Sequence, residues 1–181
     1  QSESERLSRL TENLMTLARS DEDFLPVYTE PVDITALCQK VASQMSLLAT
    51  DKKLQLKQEI QDNLVMQGDE MALSRLLIIL LDNAMKYSPE QTQITLRAAK
   101  VKTHLVLEVR DEGCGISDED KQKIFDRFFR VDKARSRSQG GLGLGLSLAL
   151  AIVRQHGGSI KVLDNKPQGT VMYVQLPTAA K

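Results

Sequence analysis

A chain of 181 residues, with 41% hydrophobic and 27% charged residues, is long enough to bury the core of one globular domain without disulfides or a structural metal. The 24 basic and 24 acidic residues cancel, which argues against a nucleic-acid binder held by bulk electrostatics. No apolar run approaches the ~18 residues of a membrane span, no signal peptide opens the chain, and Cys38 and Cys114 belong to no metal or redox motif, which indicates a reducing compartment.

The first residues predict an amphipathic helix. Its leucines recur at intervals of three and four, at Leu7, Leu10, Leu14 and Leu17. So short a helix is marginal alone, so we expect it to dock on the main domain or to be half of a helical hairpin. Because the chain starts with Gln inside this pattern, we expect a fragment of something longer. A polar, Pro-containing linker then predicts a domain boundary between about residues 20 and 30.

The next segments predict two helices and two strands. Asp33 and Asp69 each precede an apolar periodic run, and we expect each to cap the helix that follows. Between these helices, "KKLQLKQEI" and "NLVMQGD" predict strands. The second helix has a core-facing stripe at Leu73, Leu76, Leu77, Leu80, Leu81 and Ala84. Asn83 and Tyr87 lie beside this stripe rather than within it.

The remaining elements complete an α/β pattern. "TQITLRAAKV" and "THLVLEVRDEG" predict an antiparallel pair with a turn near Lys102. A helix is predicted from about Ser117, an unpatterned loop over 130–140, and a helix over "LGLSLALAIVRQHGG" that ends at a glycine pair. "SIKVLDN" and "TVMYVQLP" predict the last strands. We therefore expect an α/β two-layer sandwich, with a mixed, mostly antiparallel sheet covered on one face by about three helices, plus the N-terminal helix.

Three glycine-bearing loops carry the candidate chemistry. "DEGCG" ends a buried strand, so Asp111 either caps a turn or presents a carboxylate to a ligand's amino group. "GGLGLGL" at 140–146 precedes a helix, where free N–H groups attract phosphate, although close helix packing explains such glycines equally well. "PQGT" at 167–170 opens the last strand and is the weakest of the three signals.

Two common nucleotide-binding motifs do not fit these loops. A Rossmann motif fails because the glycine cluster follows a charged loop rather than a strand, and no acidic residue about 20 positions later completes a βαβ unit. A Walker A loop requires GK[ST], whereas this sequence has Gly-Leu-Ser. Phosphate bound here would therefore require another architecture.

In the order of its motifs the chain resembles the catalytic domain of sensor histidine kinases, which have the Bergerat ATP-binding fold. The matching stretches are "LLDNAMKYSP" (N-box), "DEGCGI" (first glycine box), "IFDRFFRVDKAR" (F-box), "GGLGLGLSLA" (second glycine box) and "GT" at 169–170. The resemblance extends from about residue 30 to residue 177, and "RLSRLTENLMTLARSD" resembles the second helix of the family's dimerisation hairpin. It implies a hairpin remnant at 1–22, a linker at 23–30 and the catalytic ATP-binding domain at 31–181.

The resemblance implies a role for each matching residue. Asn83 would offer its amide oxygen to Mg²⁺, Lys86 would meet phosphate, and Tyr87 would lie along the adenine. Asp111 would accept a hydrogen bond from the adenine amino group, and Arg130 with the loop after it would form a lid over ATP. The further nucleotide contacts that it implies are Gly113, Gly115, Ile116, Phe128, Gly141, Leu142, Gly143, Leu144, Gly145, Leu146 and Thr170.

The implied activity is transfer of the γ-phosphoryl group of ATP to a histidine and onward to an aspartate of a response regulator. Asn83, Lys86 and Arg130 would be the catalytic residues, and ATP and Mg²⁺ the cofactors. The intact protein would dimerise through its hairpin, and this chain would be the cytoplasmic portion of a bacterial membrane sensor without a span of its own. Two alternatives remain: a degenerate nucleotide-binding interaction module, or another ATPase or serine kinase of this fold.

Two departures from the family pattern bear on these expectations. Ile79, one turn before Asn83, stands where the family often has Asn or an acidic residue, which puts Mg²⁺ handling in question. Neither His104 nor His156 has the sequence context of the family's phosphate acceptor. We interpret His104 as an exposed hairpin residue and His156 as a helix-end residue favoured by the helix dipole. The chain alone is therefore not expected to autophosphorylate.

Overall fold

The structure, a computed structural model, describes residues 29–131 and 143–178, together with residues 4, 7, 8, 11, 12, 14 and 15, which are helical. The strands of the described part are β1 (Glu30–Asp33), β2 (Gln55–Ile60), β3 (Val65–Gly68), β4 (Gln93–Val101), β5 (His104–Arg110), β6 (Ser159–Asp164) and β7 (Thr170–Pro177). Its helices with defined bounds are α1 (Ile34–Asp51), α2 (Glu70–Tyr87), α3 (Asp118–Lys121) and α4 (Gly145–Gln155).

The predicted two-layer sandwich is confirmed. One sheet has the strand order β2-β4-β5-β7-β6, in which β2 and β4 are parallel and the other neighbours antiparallel. A separate antiparallel pair joins β1 and β3. Helices α1, α2 and α4 pack on one face of the large sheet and enclose an aliphatic core. None of the described helices is both long and apolar enough to cross a membrane.

Local capping explains where α1 and α2 begin. Oδ1 of Asp33 accepts a hydrogen bond from the N–H of Ala36 at 2.9 Å, and Oδ1 of Asp69 accepts from the N–H of Ala72 at 3.1 Å. Both predicted caps are therefore confirmed. Every member of the predicted stripe on α2 is buried, namely Leu73, Leu76, Leu77, Leu80, Leu81 and Ala84. With this stripe in the core, the opposite side of α2 faces away from the core.

The helix predicted from Ser117 is short. Ser117 caps α3 through a hydrogen bond from the N–H of Asp120 at 3.2 Å, but the helix has only 4 residues. The Nζ atom of Lys121 lies 2.9 Å from a carboxylate oxygen of Asp164 at the end of β6. This ion pair joins the segment that leads towards Phe128 to the edge of the sheet.

His156 makes more specific contacts than the helix-dipole interpretation suggests. It is 7% exposed at the C-terminal end of α4, and its Nδ1 lies 2.7 Å from the carbonyl oxygen of Ile152. Because a carbonyl only accepts, Nδ1 carries the proton, which leaves Nε2 to accept from the N–H of Asp69 at 3.1 Å. A Cβ on Gly68 would lie 2.9 Å from this ring. His156 thus joins the end of α4 to the start of α2.

The N-terminal helix is described only at seven positions. A guanidinium nitrogen of Arg75 on α2 lies 3.9 Å from a carboxylate oxygen of Glu12. Leu7, Leu14 and Met15 are exposed. Most of the predicted hairpin remnant at 1–22 and of the predicted linker at 23–30 lies outside the described residues, so that division of the chain stays a prediction.

Candidate functional site

The buried carboxylate of Asp111 lies immediately after β5. Asp111 is 7% exposed, and its Oδ1 accepts hydrogen bonds from the N–H groups of Gly113 at 2.9 Å and Thr170 at 3.2 Å. Burial raises the pKa of this carboxyl above its ordinary value, although the two backbone hydrogen bonds act in the opposite direction. Both of these bonds end on one oxygen, so Oδ2 is the oxygen that a ligand's donor would meet.

The backbone of Asp111 is fixed by the turn between β6 and β7. Its N–H donates to the carbonyl oxygen of Thr170 at 2.9 Å, and its carbonyl oxygen accepts from Nδ2 of Asn165 at 2.8 Å. The N–H of Asn165 in turn donates to the carbonyl oxygen of Gly169 at 3.0 Å. Gly169 has φ +113°, and a Cβ there would lie 1.9 Å from the carbonyl oxygen of Asp111. The last glycine therefore permits the turn to close over Asp111.

The first glycine box passes over the C-terminal end of α2. A Cβ on Gly113 would lie 2.5 Å from the carbonyl oxygen of Tyr87, so only glycine fits at this approach. Gly115 has φ +75°, which favours glycine, and the half-buried Ile116 packs against the core. The structure thus brings this loop against the helix that carries Asn83.

The polar side of α2 is partly open. Asn83 and Lys86 are half-buried, and Tyr87 is 45% exposed. The Nζ atom of Lys86 lies 2.9 Å from a carboxylate oxygen of Asp82, one turn earlier. Ile79 packs against the core, and its Cγ2 lies 3.5 Å from the position of a Cβ on Gly145. This contact sets the start of α4 beside the side of α2 that leads to Asn83.

The F-box and the second glycine box are hydrogen-bonded to each other. The N–H of Phe128 donates to the carbonyl oxygen of Gly143 at 2.9 Å. Gly143 has φ +73°, and a Cβ there would lie 2.8 Å from the carbonyl oxygen of Phe129. Phe128 has φ +63° and a side chain that is 63% exposed, whereas Arg130 is half-buried. The predicted contacts Gly141 and Leu142 lie outside the described residues.

Helix α4 starts without a side-chain cap. Its N-cap residue is Leu144, which is buried and whose side chain has no polar atom to accept from the first-turn N–H groups. Leu146 in that turn is half-buried. Uncapped N–H groups at a helix start attract an anion, and here they adjoin the glycine-rich segment.

The polar groups therefore converge from five parts of the chain. The first glycine box meets the end of α2, the β6–β7 turn holds Asp111, and the second glycine box meets both the F-box and α2. Sequence reasoning missed Asn165, whose only signal is its place in the turn-forming run "DNKPQG". Within the residues that the structure describes, no group of three or more His, Cys, Asp or Glu side chains is placed to hold a metal ion.

Comparison with known protein sequences agrees with these motifs. The family model described as "Histidine kinase-, DNA gyrase B-, and HSP90-like ATPase" matches residues 68–180. The sensor protein CiaH of Streptococcus pneumoniae is 40% identical over 167 residues, which are 92% of this chain and 37% of that protein. The sensor protein SrrB of Staphylococcus aureus is 35% identical over 175 residues, which are 97% of this chain and 30% of that protein. The chain thus spans about a third of the length of these relatives.

Comparison with solved structures agrees with the fold. A full-length ShkA in complex with AMPPNP superposes with a TM-score of 0.82 at 25% identity, over 97% of this chain and 37% of that one. The histidine kinase AdeS of Acinetobacter baumannii superposes with a TM-score of 0.80 at 25% identity, over 98% of this chain and 81% of that one. These similarities cover nearly the whole chain.

Proposed function

This chain belongs to the family of histidine kinase-, DNA gyrase B- and HSP90-like ATPases as a sensor-kinase ATP-binding domain, and on that premise we propose a function for the protein it comes from. The protein transfers the γ-phosphoryl group of ATP to a histidine that this chain lacks. A response-regulator aspartate then receives the phosphoryl group. The catalytic domain binds ATP, orients its terminal phosphate and shields it from water.

The geometry of Asp111 is the observation that carries this proposal. Oδ1 accepts from the N–H groups of Gly113 and Thr170, so Oδ2 would be the oxygen that accepts from a ligand's donor. The adenine amino group is such a donor, whereas guanine has an acceptor at the equivalent position and would be repelled by a carboxylate. Tyr87, Gly113, Gly115 and Ile116 would border the base. Asp111 would thereby select adenine nucleotides.

The phosphates would lie between α2 and the start of α4. The uncapped N–H groups there, together with Gly141, Gly143 and Gly145, suit a triphosphate. Lys86 lies beside this region in an ion pair with Asp82, and we propose that it exchanges the carboxylate for phosphate. Arg130 would contribute a further cation from the lid. The contacts expected for Phe128, Leu142, Leu144, Leu146 and Thr170 belong to the same proposal.

The donor set of the described residues fits Mg²⁺ held mainly by phosphate oxygens. Mg²⁺ usually keeps several waters and takes one or two protein oxygens beside substrate phosphates, which the half-buried amide of Asn83 is able to supply. When bound, the ion would neutralise developing charge on the phosphates. Because Ile79 offers no second oxygen, Asn83 would be the Mg²⁺ ligand that this side of α2 supplies.

Asn83→Ala is therefore expected to remove the effect of Mg²⁺ on ATP affinity, because it deletes the amide oxygen. Isothermal titration of ATP, with Mg²⁺ and with EDTA, should give dissociation constants that differ about tenfold in wild type and little in Asn83→Ala. Asn83→Asp is the matched control, since it retains an oxygen ligand and should retain the dependence. Equal Mg²⁺ dependence in Asn83→Ala and wild type would contradict the assignment.

The remaining proposals concern the whole protein. Residues 1–22 would be the second helix of the dimerisation hairpin, 23–30 a linker and 31–181 the catalytic domain. The intact protein would be a homodimer, and this chain its cytoplasmic portion in a bacterial membrane sensor. A response regulator would be its protein partner.

Transfer in trans tests the function directly. The chain is mixed with a separate hairpin that carries the acceptor histidine, radiolabelled ATP and Mg²⁺. Acid-labile, base-stable label on the hairpin is the expected result, and label on the chain itself is not expected because neither of its histidines has the acceptor context. ATP binding without transfer would instead indicate an interaction module. Steady phosphate release without hairpin would indicate an ATPase.

A further inference from the structure

Asn165 is the inward-facing residue of an otherwise exposed turn. Of residues 163–168, all of which the structure describes, it alone is half-buried. Its Nδ2 donates to the carbonyl oxygen of Asp111 at 2.8 Å, and its Oδ1 accepts from the N–H of Lys166 at 3.0 Å. Its own N–H donates to the carbonyl oxygen of Gly169 at 3.0 Å. Donor and acceptor of this amide therefore have different tasks: one holds Asp111 and the other shapes the turn.

The bond to Asp111 bears on the direction of its carboxylate. The bond from the N–H of Gly113 to Oδ1 closes a ring that contains the peptide between residues 111 and 112. The carbonyl of that peptide is the group that Asn165 holds. If this peptide rotates, the N–H of Gly113 moves away and the carboxylate loses one of its two positioning bonds. Thr170 would hold Oδ1 alone, through the longer bond of 3.2 Å.

We propose that Asn165 is a positioning residue for base selection, which fixes the Asp111 peptide so that Oδ2 faces the amino group of adenine. The inference rests on the proposed function, because it names a determinant of nucleotide choice in that same site. The side-chain hydrogen bonds of Asn165 go to the backbone of residues 111 and 166. It acts through the backbone of Asp111.

The adjacent residue Asp164 separates this role from a merely structural one. Asp164 pairs with Lys121 at 2.9 Å, whereas the hydrogen bonds of Asp111 go to Gly113, Asn165 and Thr170. Asp164→Asn therefore disturbs the same turn without touching the selecting carboxylate. The informative variant is Asn165→Asp. It keeps the size of the side chain and an oxygen for the N–H of Lys166, but it replaces the donated N–H by an oxygen that faces the carbonyl of Asp111.

The test is competition of ATP and GTP against a fluorescent ATP analogue, for wild type, Asn165→Asp, Asn165→Ala and Asp164→Asn. We expect the preference for ATP over GTP to fall about tenfold in both Asn165 variants and to be unchanged in Asp164→Asn, because a loosely held carboxylate rejects guanine less well. Thermal unfolding of each variant identifies the temperature range in which all of them are folded, and binding is measured within that range.

The ratio of ATP affinity to GTP affinity distinguishes the two roles, because a purely structural role of Asn165 would leave this ratio unchanged. If both Asn165 variants keep the wild-type preference for ATP over GTP, Asn165 is a turn residue and the inference is wrong, even where the affinities for both nucleotides fall equally. The proposed function would then still stand. If wild type itself shows no preference for ATP, the proposed function and the inference fail together. Loss of preference in Asp164→Asn to the same extent would also overturn the inference, since the effect would then belong to the turn.

Discussion

Replacement of Asp111 by asparagine is expected to lower ATP affinity by about 10- to 100-fold, which corresponds to ~1.5–3 kcal/mol for a hydrogen bond to a charged group. The variant retains an oxygen to accept from Gly113 and Thr170, which now hold Oδ1. Its amide nitrogen then occupies the position of Oδ2. An NH₂ group would therefore face the adenine amino group, so a donor would meet a donor.

The same substitution is expected to raise the free energy of unfolding at neutral pH. Burial raises the pKa of Asp111 in the folded state, so the ionised form is less stable there than in the unfolded chain. A carboxyl with a raised native pKa contributes stability below its unfolded pKa and loses that contribution as the pH rises through the native value. At neutral pH the ionised Asp111 therefore destabilises the fold, and the neutral amide does not.

Calorimetric titration with ATP and urea unfolding at two pH values check both parts of this prediction. The gain in stability of Asp111→Asn over wild type should be largest at neutral pH and should shrink as the pH falls through the raised pKa. Glu112→Gln is the matched control, because Glu112 is the exposed neighbouring carboxylate and accepts from the N–H of Gln93 at 2.9 Å. Unchanged ATP affinity in Asp111→Asn, or a lower stability at neutral pH, would contradict the assignment of Asp111.

The parts of the fold that could be predicted are those set by local interactions. Asp33 and Asp69 cap helices through bonds to residues three positions away, and the apolar stripe of α2 repeats within a few turns. The length of α3 could not be predicted, because the cap at Ser117 determines where the helix starts and not where it ends. Beyond Lys121 the chain continues as hydrogen-bonded turns, in which the N–H of Ile124 donates to the carbonyl oxygen of Asp120 at 3.0 Å and the side chain of Ile124 packs into the core.

The candidate site also has a part that could be predicted from the sequence and a part that could not. The order of its motifs indicated which residues belong to it, but the bonds that hold them join distant parts of the chain. Asn165 is 54 positions from Asp111, Thr170 is 59 positions from Asp111, and His156 is 87 positions from Asp69. The periodicity of a local segment does not predict such contacts. They form only because the fold places β7 beside β5 and α4 beside α2.

Gly169, which lies in the loop with the weakest sequence signal, leaves no room for a Cβ atom. Gly169→Ala is expected to lower the free energy of unfolding by about 3 kcal/mol or more, from left-handed strain and overpacking together. Its Cβ would lie 1.9 Å from the carbonyl oxygen of Asp111 and 2.7 Å from the carbonyl carbon. Both are backbone atoms, so neither moves aside by a rotamer change. The turn, or Asp111 itself, must shift.

Gly157→Ala is the control that separates strain from overlap. Gly157 has φ +70° after α4, and the nearest atom to its Cβ position is Cγ of Pro177 at 3.8 Å, an ordinary contact. It should therefore lose only about 1 kcal/mol, the penalty of a left-handed backbone for a residue with a Cβ. Urea unfolding measures both variants, and equal losses would contradict the predicted overlap at Gly169. ATP titration on the folded variants adds a second criterion: because the overlap displaces Asp111, Gly169→Ala should weaken ATP binding, whereas Gly157→Ala should not.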